Sequence, residues 1–260
     1  MGYVNIDGKR FFYRLEGAGA PVLLIHGVGG DHTGFDGVVR ERLLRRHQVI
    51  TMDLRGHGRS TRAGASYSTA LFARDVNAIL RSLRVPPAAV LGISMGGAIA
   101  MKLAARHPAR VSRLVLVDTW CRCDEAARAC FHEWIAASRR DEQVLRDIVL
   151  VRTATPQFMK RNPSFRRLFD RVWPSASGAA FRKSCLACAD HDATADLGRI
   201  TAPTLVLTGS RDILVPSALG REVAAGIRGA KFRIIEGGGH VPWLDAPERF
   251  MGVVSRFLRG

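Results

Sequence analysis

Ala88-Ala89-Val90-Leu91-Gly92-Ile93-Ser94-Met95-Gly96-Gly97 is a short apolar run that ends in a serine between glycines. From Met95 to Arg106 the residues take helical spacing until His107-Pro108 stops them. The run reads as a buried strand, which puts Ser94 on a turn between strand and helix. Gly-x-Ser-x-Gly has chemical meaning in that setting. A tight, strained turn lifts the hydroxyl above the carboxyl edge of a sheet, and only small neighbours let the backbones approach closely enough. The helix that begins there aims N–H groups and a partial positive charge at a developing oxyanion. A plain turn serine is the competing reading, and the placement favours a nucleophile.

Outward from this turn the first 118 residues alternate strand and helix signals. Lys9 to Glu16, Pro21 to Ile25, Val49 to Met52 and Leu114 to Val117 read as strands, the last ending at Asp118. Ser68 to Leu83 is helical, with Leu71, Phe72, Val76, Ile79 and Leu80 on one side. Apolar strands separated by helices imply an α/β fold, a mostly parallel sheet covered on both faces. The rhythm resumes with strands at Pro203 to Leu207 and Lys231 to Ile235, and a closing helix at Pro247 to Leu258. Between them, from Trp120 to Asp196, amphipathic Arg-rich helical stretches replace the strands. The expected organisation is a core of residues 1–119 and 197–260 with an inserted helical cap at 120–196.

A serine hydroxyl is a weak nucleophile until a base takes its proton and an acid orients that base. His240 is the natural base, after Gly237-Gly238-Gly239 and the last strand, and before Val241-Pro242-Trp243-Leu244-Asp245. Asp212, beyond the strand that starts at Pro203, is the preferred acid, and Asp118 is its rival. The chain order Ser94, Asp212, His240 differs from the orders of the chymotrypsin and subtilisin sets.

These motifs resemble the α/β-hydrolase superfamily over almost the whole chain. His26-Gly27-Val28-Gly29-Gly30 is similar to the family's HG-x-x loop, so the resemblance implies an oxyanion hole made by the Val28 and Met95 backbone N–H groups. Asp53-Leu54-Arg55-Gly56-His57-Gly58-Arg59-Ser60 resembles the D-x-R-G-x-G-x-S loop, which implies a structural brace. His26 is open to two readings, support of the oxyanion loop or hydrogen bonding in the core. Within the superfamily, Gly92 to Gly97 and Ala202 to Pro216 are most similar to 3-oxoadipate enol-lactonases and small carboxylesterases. Perhydrolase and haloperoxidase proteins share the same core signatures. C–C hydrolases carry Asn before the nucleophile and a Gly-Pro-Gly loop, where this chain has Ile93 and Val28-Gly29-Gly30. Ser94 excludes the epoxide hydrolases and haloalkane dehalogenases, which need an Asp nucleophile.

A cap would roof Ser94 and supply much of a substrate pocket. Trp120, Trp134, Phe158, Trp173 and, from the core, Trp243 are the candidate lining residues. For each cap aromatic, packing of helix against helix competes with that role. Ile148 to Lys183 holds eight basic residues and one acid. Arginines of this stretch (Arg152, Arg161, Arg166, Arg167, Arg171) facing the cleft would favour a carboxylate-bearing substrate, whereas a solvated helix face would not.

The chain has 260 residues and a formal charge of +16, but only five of its 39 basic residues are Lys. The Arg residues are scattered, without a basic tail or a zinc-finger or RNP-like pattern, so nucleic acid is not an expected partner. No apolar run is long enough for a membrane span and no secretory signal is visible, which points to the cytoplasm. Cys121, Cys123, Cys130, Cys185 and Cys188 are expected to be reduced and buried, since C-x-C poorly matches a zinc knuckle. Asp190-His191-Asp192 fits a cap–core junction better than a metal site. The expected activity needs no metal or cofactor: cleavage of a small apolar, aromatic or carboxylate-bearing ester or lactone through an acyl-enzyme. C–C hydrolysis or perhydrolysis on the same residues, or a non-catalytic ligand receptor, are the alternatives. Homo-oligomerisation is left open.

Overall fold

The computed structural model describes residues 1–62, 64–172 and 178–259, with the backbone alone at 171 and 172. Strands β1 (Gly2–Ile6) and β2 (Lys9–Glu16) form a hairpin. Asp7 and Gly8 at its tip both take positive φ, which matches the twist of the paired strands. Then come β3 (Ala20–Ile25), α1 (Val38–Leu44), β4 (His47–Met52), α2 (Thr69–Ser82), β5 (Ala88–Ile93), α3 (Met95–Arg106) and β6 (Val111–Val117). Next in the chain are α4 (Glu125–Arg140), α5 (Glu142–Thr153), α6 (Pro156–Arg161), α7 (Phe165–Val172), α8 (Gly178–Ala189) and α9 (Thr194–Leu197). The chain closes with β7 (Thr204–Gly209), α10 (Ser217–Gly226), β8 (Lys231–Ile235), α11 (Pro242–Asp245) and α12 (Pro247–Arg259).

The eight strands form one sheet in the order β1-β2-β4-β3-β5-β6-β7-β8. β1, β2 and β4 pair antiparallel, and every pair from β4 to β8 is parallel. Alternation along β3 shows why the sheet must be covered twice. Leu23 and Ile25 join one apolar cluster, with α2 and α3, while Val22 and Leu24 join another, with α1 and α12. Phe72, Val76 and Ile79 of α2 are fully enclosed on the first face, as are Val39, Leu43, Phe250 and Met251 on the second. All six residues of β5 are buried, so the strand that presents Ser94 has no solvent-facing side.

The helices between β6 and β7 are anchored where they leave and rejoin the sheet. Cys123 donates its N–H to His191 O at 3.1 Å, and Ala193 donates to Cys121 O at 2.7 Å. His191 Nδ1 contacts the Thr69 hydroxyl at 2.9 Å, and Lys102 pairs with Asp196. Among the described residues, no helix is long and apolar enough to cross a membrane.

Candidate active site

Ser94 has φ 54° and ψ −122°, a strained conformation for a residue with a side chain. Its neighbours over-determine it. The Ser94 N–H donates to Val117 O at 2.9 Å, and its carbonyl accepts the Thr119 hydroxyl at 2.8 Å and the Gly97 and Ala98 N–H groups. A Cβ at Gly92 would stand 2.3 Å from Gly96 O, and one at Gly96 2.1 Å from Ile25 O. Both glycines are therefore required by close backbone approach rather than by φ. Ser94 caps the N-terminus of α3 without a side-chain hydrogen bond into the helix.

His240 lies on the loop after β8, packed against the end of β7. A Cβ at Gly209 would stand 2.3 Å from Gly239 O. His240 Nδ1–H donates to Asp212 Oδ2 at 2.8 Å. Asp212 Oδ1 accepts the Leu214 and Val215 N–H groups at 2.8 and 3.0 Å. Burial pushes the Asp212 carboxyl up, but the His240 ring and the N–H donors outweigh it and hold Asp212 below its ordinary range. An ionised Asp212 fixes the proton on Nδ1 and leaves Nε2 as the acceptor. Asp118, the rival acid, contacts the Gly209 N–H at 2.8 Å through Oδ1; the imidazole is held by Asp212.

The loop after β3 lies directly against the serine: a Cβ at Gly27 would sit 3.4 Å from Ser94 Cβ. Gly27 O accepts from Gly30 N–H at 3.2 Å and from His26 Nδ1 at 2.8 Å. The Leu54 N–H donates to His26 Nε2 at 3.2 Å, so His26 is the neutral tautomer protonated at Nδ1. Burial pushes the His26 imidazolium down, in keeping with that neutral state. Across a planar trans peptide the Val28 N–H points opposite to the Gly27 carbonyl, away from these two donors. His26 is thus both buried and a support for the loop, because its two hydrogen bonds tie the loop to the segment after β4.

That segment is braced as the sequence implied. Asp53 accepts the His32 and Arg59 N–H groups at 2.8 and 2.7 Å, Ser60 Oγ donates to Asp53 O, and Arg55 pairs with Asp75 at 2.6 Å. His32 Nδ1 also meets Asp53 at 2.7 Å. Asp31, His32 and Asp53 form a group of closely spaced donor atoms, but Asp53 spends both oxygens on these contacts.

Ser94 and His240 open into one cavity of about 550 Å³, which Val28 also lines. Of the candidate pocket aromatics, Trp134 and Trp243 line it. Trp120 does not: it is buried directly after β6, against Phe131 at 5.6 Å and His191 at 6.4 Å. Phe158 does not either. It packs edge-on against Phe165 at 4.8 Å, and Phe165 is the residue that reaches the cavity. Trp173 lies outside the described residues. Phe35, Val149, Leu168, Phe169 and Leu214 also line the wall; the helix periodicity marks such residues as apolar without saying which wall they face.

No Lys or Arg lines the cavity among the described residues. Arg152 pairs with Glu133 at 2.6 Å, Arg166 with Asp147 and Asp170, and Arg161 with Gln157 O, while Arg167 is exposed. The side chain of Arg171 is outside the described residues. The five cysteines are free and buried, and burial pushes the Cys121 and Cys123 thiols to about 11.

A hydroxyl on a strained turn and an imidazole oriented by a carboxylate, in one apolar cavity, are the parts that nucleophilic acyl transfer needs. The family model of the alpha/beta hydrolase fold matches residues 20–247. The AB hydrolase superfamily protein YisY of Bacillus subtilis is 29% identical over 93% of this chain and 92% of its own. The enol-lactonase of Burkholderia xenovorans superposes with a TM-score of 0.93 at 26% identity, covering all of both chains. A thermophilic esterase of Thermogutta terrifontis gives 0.86 at 26% identity, over 100% of this chain and 98% of that one. The chain belongs to the α/β hydrolase fold family, and its activity is that of a hydrolase.

Proposed function

We propose that this protein is a serine hydrolase that cleaves a carboxylic ester or lactone through an acyl-enzyme. The observation that carries the reading is His240 Nδ1 held at 2.8 Å by Asp212, with His240 and the strained Ser94 lining one cavity. In this reading Ser94 Oγ attacks the carbonyl carbon while His240 Nε2 takes its proton. The Val28 and Met95 N–H groups stabilise the tetrahedral oxyanion; Met95 is the first residue of α3, so its N–H has no partner inside the helix, and Val28 presents its N–H from the loop after β3. His240 returns the proton to the leaving oxygen, then activates the water that releases the acid.

Residues 120–196 act as the cap and residues 1–119 with 197–260 as the core. Trp134, Val149, Phe165 and Phe169, from α4, α5 and α7, supply the roof of the cavity. The apolar wall favours a neutral apolar or aromatic acyl group over one that bears a carboxylate. The enol-lactonase and the esterase support the carbonyl chemistry, and the cavity supports the acyl preference.

Fluorophosphonate labelling of the wild type and of Ser94→Ala tests the reading. Labelling of the wild type alone, with Ser94→Ala below about a thousandth of wild-type hydrolysis on an ester and lactone panel, is expected. A wild-type protein that stays unlabelled, or a variant that keeps its activity, overturns it.

A further inference from the structure

Asp118 is an acid with no stated task once Asp212 holds His240. It follows β6 directly, at φ 44°, with its N–H on Leu207 O at 2.9 Å. Its side chain is fully enclosed. Oδ1 accepts the Gly209 N–H, while Oδ2 is buried and receives no donor among the described residues. Gly209 joins the two acids, its N–H donating to Asp118 Oδ1 at 2.8 Å and its carbonyl accepting the Asp212 N–H at 3.2 Å, and the Asp118 and Asp212 carboxyls act on each other across it. Two carboxyl groups in such contact share one proton, because a second buried negative charge has nothing to offset it. Which of them carries that proton follows from the donors: Asp212 already has Leu214, Val215 and His240, and Asp118, among the described residues, has Gly209 alone.

We infer that Asp118 is a neutral carboxylic acid whose Oδ2–H donates to the Asp212 carboxylate, so that Asp118 is a positioning residue for the group that orients His240. This role rests on the reading of Ser94, His240 and Asp212 as the reacting set. Burial first, and then the Asp212 charge, push the Asp118 carboxyl well above the usual carboxylate range. The consequence is chemical. A donor on Asp212 fixes the plane of the carboxylate and tempers its basicity, so Asp212 stays ionised beside the imidazolium instead of taking its proton.

Infrared difference spectra of the wild type against Asp118→Asn at neutral pH read the proton directly. A protonated-carboxyl carbonyl band is present in the wild type and lost in the variant. That result needs no substrate, so it stands apart from the serine assignment, which fluorophosphonate labelling reads. Activity supplies a second readout. Asn offers an acceptor to Gly209 and an N–H donor to Asp212, whereas Asp118→Leu offers neither. Asp118→Leu lowers kcat about tenfold or more with KM little moved, and Asp118→Asn recovers most of that loss. Asp118→Asn also holds the acid limb of the kcat/KM profile within about 0.3 pH units of wild type. An ionised Asp118 predicts the opposite, a fall of about one unit when a negative charge beside His240 is removed. That fall, or a wild-type spectrum without the carboxyl band, overturns the inference even where Asp118→Leu fails to fold.

Discussion

Gly239 donates its backbone N–H to Asp245 Oδ2 at 3.1 Å, and the other oxygen of the same carboxylate accepts the Thr155 hydroxyl. Thr155 is the N-cap of α6 and Gly239 is the residue before His240. One half-buried carboxylate therefore joins the helices between β6 and β7 to the loop that presents the imidazole.

Asp245→Ala leaves the Gly239 N–H and the Thr155 hydroxyl without their acceptor. The expected cost is about 1–3 kcal/mol of stability from the unmade hydrogen bonds. Hydrolysis falls about tenfold as the His240 loop loosens. Asp245→Asn keeps an acceptor for Gly239 and is milder on both counts. Urea unfolding and steady-state kinetics on the two variants check this, and equal activity in Asp245→Ala and wild type removes the bracing role.

Gly96→Ala is expected to destroy the turn. Its Cβ would stand 2.1 Å from the backbone oxygen of Ile25, and neither atom can turn away by a rotamer change. The elbow or β3 must move, and labelling of Ser94 is lost together with several degrees of Tm. Gly252 is the control. It lies on the exposed face of α12, where an added Cβ would meet nothing within 4 Å. Gly252→Ala raises stability by about 0.5–1 kcal/mol through helix propensity.

The contrast between these two glycines marks what the sequence can carry. Gly92-x-Ser94-x-Gly96 is legible because its glycines serve contacts within one strand–turn–helix unit, and a local pattern encodes a local need. The order of Asp212 and His240 is legible for a similar reason, each falling just past a strand end. The hairpin strand β1 and the helices α1 and α10 leave weaker traces: Gly2–Ile6 is an edge strand that pairs with β2, and Val38–Leu44 is a seven-residue helix. The pocket wall is the least legible part. Trp120 and Phe158 are as aromatic as Trp134, yet which of them faces the cavity depends on how α4 to α8 pack on one another, and no periodicity records that. Asp245 carries no motif at all, because one partner, Thr155, is brought to it by tertiary contact and the other, Gly239, by the way the His240 loop folds back on itself.

Acyl charge should decide substrate preference. The cavity wall holds Trp134, Val149, Phe165 and Phe169, and the one carboxylate among its described residues, Asp36, is paired with Arg14. A carboxylate-bearing acyl group would lose its hydration there without gaining a cation. Esters with a neutral acyl chain are expected to exceed their ω-carboxy counterparts by about ten- to a hundredfold in kcat/KM. Leu168→Arg, which adds a cation at the exposed edge of the cavity, narrows the gap by raising the carboxylate series. Parallel kinetics on matched esters check this, and a wild type that prefers the carboxylate series sinks the acyl preference while leaving the serine chemistry standing.

Buried neutral histidines should make the fold acid-labile. His57 is fully enclosed, with Nδ1–H donating to Arg55 O at 3.0 Å and Nε2 without a partner among the described residues. Burial first, and then the neighbouring His26, push its pKa from 6.5 to about 3. His191 is likewise pushed to about 3, by burial and then by Lys102. Above the unfolded value of 6.5 neither folded nor unfolded chain is charged at these positions, and their full contribution is present. As the pH falls below it, the unfolded chain takes up protons that the folded one refuses, so stability is lost progressively down to about 3. His57→Gln keeps an N–H donor for Arg55 O but cannot titrate. Carboxyl groups, Asp118 among them, titrate alike in both proteins, so the difference between them isolates the imidazole. The urea midpoint of the wild type should therefore drop relative to His57→Gln between about pH 7.5 and about pH 5. A difference that stays constant across that window shows that His57 takes up its proton in the folded protein at the same pH as in the unfolded chain.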